Sequence, residues 1–198
     1  MDKRDVQRIQ DEIVAAVLPQ VVFDGWSWDA VVRAASEAGH SEHIARAVFP
    51  GRIVDVLDGF SDLADRTMME ALGAVDPEDM RVRDRVRSGV LARFEYLQPH
   101  KEAVRHSLAF WAVPTRKPRA AKIVWRTADR IWAWAGDQST DYNRYTKRGL
   151  LSGVLVSTTL AWLGDESGSM DRTAAFLDRR IENVMQLGKV VGTIRKAS

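Results

Sequence analysis

The 198-residue sequence contains no cysteine. Disulfides, thiol catalysis and thiolate metal sites are therefore excluded, and a reducing compartment suits the chain. Glycine and proline are modest, at 13 and 6, and no long alternation of β-branched and polar residues occurs. Helices are expected, not sheets. Neither sign of charge dominates. The 29 Lys and Arg against 27 Asp and Glu leave a net +2, so charge alone indicates no global nucleic-acid field. A membrane-spanning segment is missing too. The longest uncharged run, residues 149–164, is interrupted by Ser152, Ser157, Thr158 and Thr159, whereas a spanning helix needs roughly 20 predominantly apolar residues. The N-terminal MDKRDVQRIQDEIV has acids and no apolar core segment, so neither a secretory signal nor an uncleaved transit peptide is expected there. No glycine-rich phosphate loop appears either.

What is present is a set of amphipathic stripes separated by caps and breakers. Val6, Ile9, Ile13, Val14 and Val17 fall at helical spacing and predict a helix over 4–18, with Pro19 after it. FDGW, residues 23–26, reads as a turn. Ser27 is a good N-cap for a helix over 28–37, ended by Ala38 and Gly39, and Ser41 caps a short third helix over 42–48 before Pro50 and Gly51. Further helices are predicted over 53–72, 82–97, 99–111, 119–135, 140–163 and 172–191, with TRKPRA, residues 115–120, as a basic turn. The expected fold is all-α with about nine helices: a three-helix N-terminal unit with helix-turn-helix spacing within 1–72, then a helical bundle over 73–198. The N-terminal spacing resembles that of TetR-type regulators, which join such a unit to a helical ligand-binding domain.

That likeness raises DNA binding as one reading. The third helix, EHIARAVF, offers Glu42, His43 and Arg46 but little Lys or Arg to hold phosphates. Nucleic acid is therefore a poor partner, and a ligand-responsive transcription regulator stands as the alternative function. Catalysis fares no better. Glu37 and His40 have the Glu-x-x-His spacing of di-iron bundles, but the second pair is missing and Gly39 breaks the face. An exposed turn histidine is the expectation at His40. His100 and His106 lie six apart, on different helix faces. Ser139 has no activating base nearby. No enzyme, no metal site and no cofactor is expected.

The helix over 140–163 has one small-residue face, Gly149, Gly153 and Ser157, which permits close approach of another helix, from this chain or from a second copy. Its remaining apolar positions have two readings. One is ordinary core. The other is the lining of a single apolar cavity by Phe94, Leu97, Leu108, Trp111, Val154, Leu155, Thr158 and Trp162. Such a lining has almost no fixed charge and suits a lipid or isoprenoid.

Between an aromatic helix and this uncharged one lies AGDQSTDYNRYTKR, residues 135–148. With its upstream neighbour it forms WRTADRIWAWAGDQSTDYNRYTKR, residues 125–148, which resembles the signature of the Coq-nine family of ubiquinone (coenzyme Q) biosynthesis proteins. LQPHKEAVR at 97–105, the FDGW turn and FLDRRIENVMQLG at 176–188 resemble that family in the same order. The resemblance implies a TetR-like, dimeric, all-α accessory protein that is not an enzyme. Such a protein binds isoprenoid quinone intermediates and supports the di-iron demethoxyubiquinone hydroxylase by docking to it, the iron belonging to that partner. It implies a docking patch of Ile131, Trp132, Asp137, Thr140, Asp141, Asn143, Tyr145 and Arg148. Asp137 or Ser139 capping the following helix is an equally open reading, as is Asp141 pairing with Arg144 or Tyr145. Arg144 departs from the family, which places an aromatic residue there. Mitochondrial relatives touch the membrane with a C-terminal amphipathic helix. Here the chain ends about ten residues after Gly188, so peripheral membrane contact through Lys189, Arg195 and Lys196 is expected to be weak, at roughly 1 kcal/mol each. The implied location is the bacterial cytoplasm, with possible membrane association, or the mitochondrial matrix.

Overall fold

A computed structural model describes residues 2–140 and 142–196, with side chains up to residue 186. Asp141 and the side chains of Lys189, Arg195 and Lys196, invoked above, lie outside the described residues. The described residues form nine α-helices and three short 3-10 turns, with no strand. The helices are α1 (Lys3–Asp24), α2 (Trp28–Glu37), α3 (Glu42–Val48), α4 (Ile53–Leu72), α5 (Val82–Leu97), α6 (Lys101–Trp111), α7 (Lys117–Trp134), α8 (Tyr142–Leu163) and α9 (Asp171–Lys196). Among the described residues no helix is long and apolar enough to cross a membrane.

The chain divides into two compact units, residues 1–68 with 95–123, and residues 69–94 with 124–198. In the first, α1 packs against α2, α3 and α6. Ile13, Val14, Val17 and Val21 of α1 are fully buried, as are Ala30, Val31, Ala34 and Ala35 of α2. α1 runs past the expected stop at Pro19 to Asp24. Proline removes one backbone donor, but Val17, Leu18 and Val21 continue the buried face across it, so packing outweighs the lost bond. The turn after it is made by Gly25 at φ 61°, a left-handed conformation that costs a residue without Cβ little. The Ser27 hydroxyl then accepts from the Ala30 amide at 3.2 Å and that of Ser41 from the Ile44 amide at 3.3 Å, capping α2 and α3 as expected. The Trp26 indole donates to the Ala103 carbonyl at 3.0 Å, fixing the turn on α6.

Two histidines of this unit are packed into it. His40 is half-buried rather than exposed, because its Nε2 lies 2.7 Å from a Glu12 oxygen. His100 sits edge-on to Phe60 and tilted against Tyr96, and burial holds its pKa below the ordinary histidine value. On α3, Arg46 is engaged with Glu42 through both its Nε and an Nη. That pairing neutralises the cation on the helix that would read DNA.

In the second unit, α8 packs against α9. Phe94 and Trp162 meet with ring centroids 5.2 Å apart. A Cβ at Gly89 of α5 would come within 2.9 Å of the Ile131 side chain, so glycine sets the close approach of α5 to α7. Arg87 and Arg83 of α5 pair with Asp178 and Glu182 of α9.

Candidate functional site

The site lies where α7 ends and α8 turns back beside it. α7 stops with the Asp137 amide donating to the Trp132 carbonyl at 3.0 Å and the Gly136 amide donating to the Ala133 carbonyl at 3.1 Å. This is a Schellman stop, and Gly136 occupies its left-handed position at φ 82°. Arg85 of α5 donates to the Ala135 carbonyl at 2.9 Å, holding the stop in place. The result is a fixed direction for the Asp137 carboxylate.

That carboxylate is the hub of an ionic network. Lys147 Nζ reaches one Asp137 oxygen at 2.6 Å, Arg148 Nη1 reaches the other at 2.9 Å, and the Ser139 hydroxyl donates at 2.7 Å. Lys147 also donates to the Ser139 oxygen at 2.8 Å. Arg148 Nε donates to Asp129, one turn or so before the end of α7. The side chains of Arg148 and Asp137 are only 4% and 2% exposed, so the pair is a buried tie between the two helices. Burial by itself would raise Asp137, but hydrogen bonds from Lys147, Ser139 and Arg148 outweigh it and hold the carboxyl far below the carboxylate range. Burial likewise opposes charge on Arg148, and the two aspartates reverse that, raising its pKa. Trp132 completes the tie. Its indole donates to the Lys147 carbonyl at 3.1 Å, and Lys147 Nζ lies 5.4 Å from its ring centroid.

The predicted docking residues separate into two groups by burial. Ile131 is fully buried against α5 and offers no surface, and Asp137 and Arg148 are inside the tie. Trp132 is half-buried, while Thr140, Asn143 and Tyr145 are exposed. Arg144, the position that departs from the family, points to Asp129 at 3.4 Å. Asp137 and Ser139 are engaged with Lys147. Sequence reasoning passed over Tyr142, which is 73% exposed beside Tyr145 at 62%. Its signal was available: Tyr142, Tyr145 and Gly149 share one helix face by spacing. Tyr145 leans on Trp125 with centroids 6.2 Å apart.

Of the candidate lipid-lining residues, Phe94, Val154, Leu155, Thr158 and Trp162 belong to the second unit and are all buried. Leu97, Leu108 and Trp111 belong to the first, Leu97 buried and the other two half-buried. Among the described residues no group of three or more His, Cys, Asp or Glu side chains is placed to hold a metal ion.

Known proteins resemble this arrangement in two ways. The fold is that of TetR-like all-α proteins: the crystal structure of the TetR transcriptional regulator from Nitrosomonas europaea ATCC 19718 matches with a TM-score of 0.71 and 20% identity, over 90% of this chain and 99% of that one. In sequence, residues 117–188 match the COQ9 family model. The ubiquinone biosynthesis protein COQ9, mitochondrial, of Rattus norvegicus is 28% identical over 98% of this chain and 64% of its own length. The Homo sapiens protein of the same name is 26% identical over 98% of this chain and 63% of its own, and the Drosophila melanogaster one 28% over 92% and 57%. The chain is thus similar to COQ9 proteins over most of its own length and spans about three-fifths of the length of these relatives.

Proposed function

We propose that the protein is a non-enzymatic accessory factor of ubiquinone biosynthesis that binds an isoprenoid quinone intermediate and docks to the di-iron demethoxyubiquinone hydroxylase. The observation that carries this reading is the platform at the head of α8. Two exposed tyrosines, Tyr142 and Tyr145, stand with Trp132 on a backbone that the Asp129–Arg148–Asp137–Lys147 network makes rigid. Aromatic side chains on a pre-organised support are the residue types that anchor interfaces. Trp132, Thr140, Asn143, Tyr142 and Tyr145 supply the contact surface, and Ile131, Asp137 and Arg148 hold it in shape. The relatives' names assign them to ubiquinone biosynthesis and to mitochondria. The mitochondrial matrix, or the cytoplasm of a bacterium, is the location that follows.

The lipid is proposed to lie against the uncharged wall of Phe94, Val154, Leu155, Thr158 and Trp162 in the second unit. A hydrocarbon tail pairs with such a wall at no electrostatic cost. We also propose a homodimer through the outer face of α8. Gly149, Gly153, Val156 and Leu160 share that face, and a Cβ at either glycine would meet no atom within 4 Å. Val156 and Leu160 are exposed there. An uncharged, open helix face of this kind marks an association surface, and a second copy is self-complementary to it. In this scheme residues 1–72 form the helix-turn-helix-like unit and 73–198 the lipid-binding and dimerisation segment.

Native mass spectrometry of the purified full chain, with extraction of bound lipid, tests the lipid-binding reading. A co-purifying prenylated quinone precursor is the expected result. Protein that carries no lipid and takes up none from micelles of a prenylated quinone would sink it.

A further inference from the structure

Four hydroxyl side chains fall between residues 152 and 159 of α8. Three bond back to their own helix: Ser152 donates to the Arg148 carbonyl at 2.8 Å, Ser157 to that of Val154 at 3.1 Å and Thr159 to that of Leu155 at 2.8 Å. Thr158 is the most deeply buried of the four, fully shielded from solvent, and its hydroxyl has no hydrogen-bond partner among the described residues. Helical backbone carbonyls lie within reach of any threonine at i−3 and i−4, and the neighbouring threonine uses one. Thr158 does not. It shares the buried face of α8 with Leu151, Leu155 and Trp162, and the Trp162 ring packs on Phe94. A lone hydroxyl thus stands in an aromatic and aliphatic wall.

A hydroxyl without a partner in such surroundings is penalised relative to a methyl group. A core selected only for packing would carry valine there. We propose that the Thr158 hydroxyl is the polar contact for an oxygen on the ring head of the bound ligand, with Trp162 and Phe94 flanking the flat ring. This inference rests on the lipid-binding reading and narrows it: the wall distinguishes a quinone or phenol ring from a plain isoprenoid hydrocarbon. Threonine is suited to this because it donates to a ring carbonyl and accepts from a ring hydroxyl. Phe94 and Trp162 pack on each other, so the ring enters by turning one of these aromatic side chains aside. The unmet hydroxyl makes the empty arrangement less stable and so favours that exchange for a ligand that supplies the bond.

The test compares wild type, Thr158→Val and Thr158→Ser in the full chain. The probes are a substituted benzoquinone with a short isoprenoid tail and an oxygen-free isoprenoid hydrocarbon of the same tail length. Wild type and Thr158→Ser are expected to bind the quinone alike and Thr158→Val about 5- to 10-fold more weakly, which is the loss of about one hydrogen bond. The hydrocarbon is expected to bind all three equally. Ligand-free Thr158→Val is expected to melt a few degrees above wild type, since the unmet group is gone. Equal quinone binding by wild type and Thr158→Val overturns the inference and leaves lipid binding standing. A ligand-free Thr158→Val that melts below wild type overturns it as well, because the hydroxyl then has a partner in the protein. Wild type that binds neither probe overturns the lipid-binding reading and this inference with it.

Discussion

Replacing Arg148 with alanine is expected to cost about 3–5 kcal/mol of stability, the usual penalty for removing one member of a buried ion pair. For a chain of this size that is a fall in Tm of roughly 10 °C. The guanidinium bridges Asp129 and Asp137, and its removal leaves Asp137 in a nearly sealed position with Lys147 as its only cation among the described residues. Arg144→Ala is the control. Arg144 is on the next turn and approaches the same Asp129, but it is largely exposed, so the loss expected is under about 1 kcal/mol. The same network sets an acid limit. The Asp137 carboxyl is held below its ordinary value of 3.8. Its stabilising contribution is therefore complete above that ordinary value and is lost as pH falls below it towards the folded-state value. Arg148→Ala is expected to flatten that acid loss. Thermal melts of the two variants, from pH 7 down to pH 3, check both points. An Arg148→Ala melt within a degree or two of wild type contradicts the assignment of the network as the lock between α7 and α8.

Leu160→Asp is expected to convert the proposed dimer to monomer while leaving the fold intact. Leu160 is 59% exposed in the single chain, so the charge costs the monomer little. In a two-fold symmetric interface each change counts twice. Losing two leucines that are 59% exposed before association removes roughly 2–4 kcal/mol of association free energy, about one to three powers of ten in Kd, before the two opposed carboxylates are considered. Sedimentation or light scattering reads the outcome. A variant that remains dimeric with an unchanged melt moves the interface off the outer face of α8.

Much of the architecture was legible because its punctuation is local. Ser27, Ser41, Pro50 and Pro114 fix helix ends through caps and missing donors, effects that reach only a few residues. Pro19 misled for the opposite reason: a buried face supplied by other helices carried α1 through it. The site was legible as a segment and not as roles. Asp137, Arg148 and Ile131 read as surface contacts in the signature, yet all three are buried. Burial of a charge depends on a partner distant in sequence, here Asp129, and burial of Ile131 depends on the absence of a side chain at Gly89. Neither is visible in the pattern around residues 135–148. Tyr142 was visible, as the first member of the Tyr142, Tyr145, Gly149 face, but the family signature drew attention to its neighbours.

These roles change which variants are informative about docking. Arg148→Ala reports on folding before it reports on a partner, whereas Tyr142 and Tyr145 are exposed and their removal leaves the ionic lock untouched. The most direct measurement is co-purification of the full chain with the di-iron demethoxyubiquinone hydroxylase, wild type against the Tyr142→Ala, Tyr145→Ala double variant, with melts confirming that both are folded. Wild type is expected to retain the hydroxylase and the double variant to lose it, with affinity at least about tenfold weaker, since interface aromatic anchors cost about 2 kcal/mol or more when truncated. A folded double variant that holds the hydroxylase as tightly as wild type, or a wild type that never holds it, contradicts the account.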